Sequence, residues 1–149
     1  MQSLYQQTIN KSCSFEGPSL HSGEYSMVTL HPAPANTGIK FKRVDSKLPV
    51  NQTIIDASFK NIKSSQLCTT IENDYGLSVS TIEHLMAALH ACGIDNLLID
   101  IDSSEMPILD GSAIEYTSII SKLGLKQLNS KKKYLKILKT IEVKRDDAY

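Results

Sequence analysis

The stretch Ser80–Gly93, "STIEHLMAALHACG", followed closely by Leu97–Ile101, "LLIDI", decides the architecture. At about 100° per residue, Ile82, Leu85, Met86 and Leu89 gather on one side of a helix spanning 81–92. Ser80 is a good N-cap, and Gly93 stands where a helix end wants a left-handed residue. The run after it is the most apolar strand candidate in the chain and is expected at the centre of a sheet.

Working outward, the chain before residue 80 alternates short strand candidates with turn residues. Tyr25–His31 is rich in strand formers and is stopped by Pro32-Ala33-Pro34. Ile39–Val44 alternates apolar and basic residues, as a half-exposed strand does. Thr53–Ala57, Gln66–Glu72 and Leu77–Val79 are further candidates, with Asn73-Asp74-Tyr75-Gly76 as a hairpin turn. A second helix is predicted over 113–123, opened by the capping signature Ser112-x-x-Glu115 and closed at Gly124. Several short strands and two helices predict an α+β two-layer sandwich, a mixed β-sheet with both helices packed on one face. Leu85, Met86, Leu89, Ile99, Ile101, Ile119 and Ile120 are its expected core.

The last part of the chain differs in character. Residues 1–125 carry a net charge of −5, whereas residues 126–149 carry +5, so the overall balance of zero hides a split. Residues 1–125 are expected to form one domain, and 126–149 a basic linker leading into a strand at Tyr134–Val143. Its residues Leu135, Ile137, Ile141 and Val143 are apolar on one side. On pattern alone that strand is either the last of this domain or the first of another.

Composition bounds the function. With 149 residues, 41% of them hydrophobic, the chain can bury a real core. No stretch has the basic start and apolar run of a signal peptide, or the roughly 20 apolar residues of a membrane span. Cys13, Cys68 and Cys92 are odd in number and lack C-x-x-C spacing, which suits reduced thiols in a cytoplasmic protein. A nucleic-acid partner is not expected, because the basic residues lie in the tail and the predicted domain is acidic.

The chemistry concentrates on Glu83 and His84. Ser80-x-x-Glu83 is itself a capping box, so Glu83 is either a cap or a functional carboxylate. His84 falls almost opposite the apolar stripe, beside Ala87, Ala88 and Ala91, which removes it from the core. The positive potential of a first helical turn keeps an imidazole lone pair available for a metal. His90 does not complete a metal pair, being six residues on and about 120° out of line. Other ligands have to come from elsewhere, with His21 and His31 as candidate neighbours.

Six segments in order, "SLHSGE" (Ser19–Glu24), "HPAPANTGIKF" (His31–Phe41), "CTTI" (Cys68–Ile71), "STIEHLMAAL" (Ser80–Leu89), "GIDNLLIDI" (Gly93–Ile101) and "SEMPILDGSA" (Ser104–Ala113), resemble the N-terminal half of one family. It is the zinc-dependent UDP-3-O-acyl-N-acetylglucosamine deacetylases of lipid A biosynthesis. The resemblance implies hydrolysis of an acetamide, with Zn2+ as cofactor, His84 as a metal ligand and Glu83 as general base. It also implies a supporting role for Asp110 and places His21 and Cys68 on a loop at the substrate site. Ser19, where the family usually has Gly, and Ile114-Glu115, where it often has Gly-Pro, depart from the pattern.

The resemblance further implies two similar α+β domains with the site between them. Two more zinc ligands (a His and an Asp), a second catalytic histidine and the acyl pocket would then belong to a second domain. On this expectation the 149 residues are an N-terminal portion, inactive alone and retaining one zinc ligand. Their partners are the UDP-sugar substrate and, for the tail strand, either the absent half or another copy. The competing reading is a stand-alone scaffold or interaction domain that keeps the fold without catalysis.

Overall fold

The computed structural model describes residues 3–144. Strands β1 (Tyr5–Ile9), β2 (Cys13–Pro18), β3 (Tyr25–Pro32), β4 (Ile39–Arg43), β5 (Ile54–Asp56), β6 (Ile62–Ser64), β7 (Thr70–Glu72) and β8 (Ser78–Val79) precede helix α1 (Glu83–Cys92). Strand β9 (Leu97–Ile101), helix α2 (Ile114–Leu123) and strand β10 (Leu125–Lys131) complete the order.

β9 is central, as its apolar run predicts. The main sheet runs β2-β3-β9-β4-β5, and β9 pairs antiparallel with β3 and parallel with β4, which makes the sheet mixed. Period-two alternation sends Val28, Leu30, Phe41, Ile55, Ile99 and Ile101 to one face, all fully buried. There they join Leu85, Ala88 and Leu89 of α1 and Tyr116, Ile120 and Leu123 of α2 in one core. The fold is therefore an α+β sandwich, with the helices on one face of the main sheet. Each large side chain so buried contributes roughly 1.5–3 kcal/mol. Met86 and Ile119, also predicted inside, lie half-buried at the core's margin.

Helix boundaries shift for a physical reason. α1 begins at Glu83 because Thr81 is left-handed, with φ 56°, and breaks the helical path. Ser80 does not cap the helix. Its N–H donates to the Ser104 carbonyl (2.9 Å), and its own carbonyl accepts from Met106 (3.1 Å), tying it to the segment ahead of α2. At the other end Gly93 is left-handed at φ 73°, and Ile94 donates back to the Leu89 carbonyl (3.0 Å), the cap that the sequence predicts. The capping signature before α2 also fails in detail: Ser112 turns to Asp110 and Ile114, leaving Glu115 out.

The predicted hairpin is present. β7 and β8 pair antiparallel across Asn73–Gly76, with Asn73 Oδ1 accepting from Tyr75 (3.0 Å) and Leu77 (3.1 Å). With β6 they form a small second sheet. Most of the predicted basic linker is instead β10, which pairs antiparallel with β1 from Ile9↔Leu125 to Tyr5↔Lys131. Lys132 then anchors the exit, its Nζ 3.0 Å from both Asp95 Oδ2 and the Gly93 carbonyl oxygen. The strand expected over Tyr134–Val143 does not form: no strand lies beside it among the described residues, and Leu135, Leu138 and Val143 are exposed. Among the described residues no helix is long and apolar enough to cross a membrane.

Candidate active site

The site candidates converge on the first turn of α1. Glu83 is the first residue of that helix, and its Oε2 accepts from the backbone N–H of Thr69 at 3.1 Å. The capping box suggested by Ser80-x-x-Glu83 is thus not formed. The carboxylate is drawn sideways to another segment, and no hydrogen bond occupies its Oε1 among the described residues. Cys68 precedes Thr69 directly and is half-buried, its Sγ 3.8 Å from the Thr70 hydroxyl. A cleft of about 330 Å³ runs beside Glu83, walled by Ile71, Ile82 and Met86 and opening past Phe59 and Ile62.

His84 is half-buried on the face away from Leu85 and Leu89, with Ala87 and Ala91 exposed beside it, whereas Ala88, expected on the same open face, is buried in the core. No hydrogen bond engages its ring among the described residues. Its charged neighbour is Asp110, in the loop leading to α2. The amide (2.9 Å) and hydroxyl (2.8 Å) of Ser112 donate to the two oxygens of Asp110. These donations hold its carboxyl below the usual carboxylate range, with a smaller pull from the His84 imidazole. The loop itself is pinned. The Tyr116 hydroxyl donates to the Pro107 carbonyl, and Ile108 donates to the Pro18 carbonyl at 2.9 Å. Burial pushes the Tyr116 phenol far above its ordinary value, so it remains a proton donor.

His21 lies on the exposed turn after β2, and one residue missed by sequence reasoning connects it to the helix. Glu105 is buried, 3% exposed, and its Oε1 accepts from the His21 amide (3.0 Å) and the Thr81 hydroxyl (2.9 Å). Its Oε2 accepts from the Ser22 amide (2.9 Å). Burial works to raise the Glu105 pKa, but the donations from His21, Ser22 and Thr81 prevail and hold it below the ordinary glutamate value. The only sequence signal was a glutamate inside an apolar stretch, "SSEMPIL", which by itself names no partner.

The structure thus ties the Cys68–Thr69 segment to Glu83 at the start of α1, links the His21–Ser22 turn to it through Glu105 and Thr81, and sets Asp110 in the charge environment of His84. It sets two other histidines apart. His31 lies on the outer face of the sheet, its Nε2 3.3 Å from Asp100 and its Nδ1 3.2 Å from the Ser12 hydroxyl. His90 is exposed near the far end of α1. A cavity of about 640 Å³ beside Cys92, Gly93 and Lys132 is also at that far end and is lined by none of the candidates.

The donor chemistry suits zinc only in part. An imidazole in a first helical turn with carboxylates nearby offers the N and O donors that zinc accepts, but a catalytic site takes about three protein ligands. Among the described residues no group of three or more His, Cys, Asp or Glu is placed to hold a metal ion. His84 fits as one member of a ligand set and does not make a set.

The sandwich presents a carboxylate–imidazole pair from a helix start, flanked by three loops. Comparison with known proteins gives the family. The family description UDP-3-O-acyl N-acetylglycosamine deacetylase matches residues 6–149. A protein of Colwellia psychrerythraea named UDP-3-O-acyl-N-acetylglucosamine deacetylase is 46% identical over 146 residues, which is 98% of this chain and 47% of the relative. Proteins of the same name from Pseudoalteromonas atlantica and Wigglesworthia glossinidia brevipalpis are 43% and 42% identical, each over 98% of this chain and 47% and 48% of their own lengths. The chain belongs to the UDP-3-O-acyl N-acetylglycosamine deacetylase family. It spans about half the length of the curated relatives it matches.

Proposed function

We propose that these residues supply one side of the reaction centre of a zinc-dependent deacetylase. It would remove the N-acetyl group from a UDP-3-O-acyl-N-acetylglucosamine in lipid A biosynthesis. The observation that carries this reading is the diversion of Glu83 from helix cap to the Thr69 amide. That hydrogen bond fixes the carboxylate at the cleft and leaves one oxygen for water.

Glu83 takes the proton of the attacking water and delivers it to the amine as the C–N bond breaks, releasing acetate and a free amine. His84 would hold zinc through a ring nitrogen, and Asp110, whose charge the His84 imidazole feels, would have a supporting role. Bound zinc would supply Lewis-acid polarisation of the acetyl carbonyl and acidify the water. His21 and Cys68 line the approach of the UDP-sugar. The other ligands, a second histidine and the acyl pocket are assigned to residues outside these 149. On this reading the chain through β10 and Lys132, rather than only to residue 125, belongs to the first domain, and the tail beyond it leads into the second, where its apolar side chains would be covered. A cytoplasmic location follows from the unpaired thiols and the nucleotide-sugar substrate.

The test is a chimera in which this chain replaces the matching 146 residues of the Colwellia relative. Acetate release from the UDP-sugar is expected, with Glu83→Gln reducing it about 10²–10⁴-fold. His84→Ala should abolish it and lower the zinc content. A chimera whose turnover survives both changes overturns the assignment. A folded, metal-free and inactive chimera supports the scaffold reading.

A further inference from the structure

We propose that Glu105 is the positioning residue of this centre, its buried carboxylate locking the His21–Ser22 turn and the entry to α1 into one rigid frame. Its two oxygens take donors from two segments far apart in sequence: the amides of His21 and Ser22 after β2, and the Thr81 hydroxyl before α1. Its backbone joins the same junction. The Ser19 hydroxyl donates to the Glu105 carbonyl (3.2 Å), and Ser80 and Glu105 form a parallel bridge. No Lys or Arg pairs with this carboxylate among the described residues, so neutral donors alone hold a buried charge. Such hydrogen bonds are short and strong, and directional enough to set geometry.

Thr81 shows what the frame resists. A β-branched residue at φ 56° is strained, and such strain persists only where the surroundings over-determine it. Thr81 is 2% exposed, and Glu105 accepts its only side-chain hydrogen bond among the described residues. Glu83 and His84 follow within three residues, so any relaxation at Thr81 re-aims the first turn of α1. The same carboxylate therefore sets the position of His21 and the direction of the Glu83–His84 pair. Misplacement of such groups by about 1 Å is enough to lower a rate a hundredfold.

This inference rests on reading His21, Glu83 and His84 as parts of one centre, but its test reads the frame without any turnover. In ¹⁵N spectra of the 149-residue chain, the His21 and Ser22 amide signals are expected to titrate together, with one midpoint below 4.5, the ordinary glutamate value. Glu105→Gln should abolish that shared titration, although His21, Glu24 and Asp110 remain. It should also speed exchange of the two amides about ten- to a hundredfold and shift the Glu83 and His84 signals, with Ile99 and Ile101 of β9 still protected. Thr81→Val, the gentler variant, should move the Glu83 and His84 signals and leave His21 and Ser22 exchange unchanged. If Glu105→Gln does not fold, the wild-type titration and Thr81→Val decide the matter. Independent titration of the two wild-type amides overturns the proposal. So do Glu83 and His84 signals that stay fixed when Thr81 or Glu105 is changed.

Discussion

Glu83 Oε2 sits 3.1 Å from the backbone nitrogen of Thr69, a residue of the loop entering β7 rather than of its own helix. A side chain that could cap α1 instead ties the small sheet to the helix start. Gln keeps an oxygen for that amide whereas Leu does not. Glu83→Gln should therefore change stability by less than about 0.5 kcal/mol, and Glu83→Leu should lower it by about 1 kcal/mol or more. Urea unfolding of the three chains gives both values.

Zinc should not stay on this chain by itself. The described residues offer no group of three candidate ligands, and a single imidazole neither fixes coordination geometry nor excludes water. Metal analysis after dialysis should find well under one zinc per chain. Stoichiometric zinc would mean that the ligand set is completed within these 149 residues.

The core makes a sharper prediction for stability. Ile99 is fully buried on the central strand, between Leu30 of β3 and Phe41 of β4 in register. Ile99→Ala should lower unfolding free energy by about 2–5 kcal/mol. Leu98→Ala, on the opposite and half-exposed face, should cost clearly less. Parallel denaturant titrations distinguish a one-sided core from a sheet buried on both faces.

Acid should weaken the fold through Glu105. Its folded pKa lies below the ordinary glutamate value of 4.5, so its contribution is complete above about that pH. It is lost as the pH falls through the lower folded value. The wild-type chain should lose stability from just under pH 4.5 downward, and Glu105→Gln should lack that part of the decline while being less stable at pH 7. Thermal melts across pH 3–7 measure it.

What the sequence revealed was whatever local periodicity encodes. The apolar run of β9, the stripe of α1, the Gly93 stop and the Asn73–Gly76 turn each carry their signal within a few residues, and each is found. β1 and β10 were illegible for the opposite reason. Gln6, whose side chain is buried, is satisfied by Asn36 and Asn96 rather than by apolar neighbours. "YQQTI" and "LKQLNSK" therefore read as polar sequence, and only long-range pairing makes them strands. At the site, the residue types of Glu83 and His84 were visible, but their surroundings were not. The cap at Ser80 failed because Thr81 is left-handed, and Thr81 is held so by Glu105, 24 residues away.

The pairing of β1 with β10 also sets a timetable for biogenesis. Tyr5 to Ile9 are synthesised well before their ladder partners, residues 125–131. Until those are made, the buried edge around Gln6 and Thr8 has no second strand, and Lys132 cannot close its bond to Asp95. Ordering of the central sheet and helices can begin earlier, but the clasp waits for nearly the whole of this unit. Contacts so distant in sequence favour slow folding. A ribosome stalled before Leu125 would therefore display a chain with its core assembling and β1 unpaired.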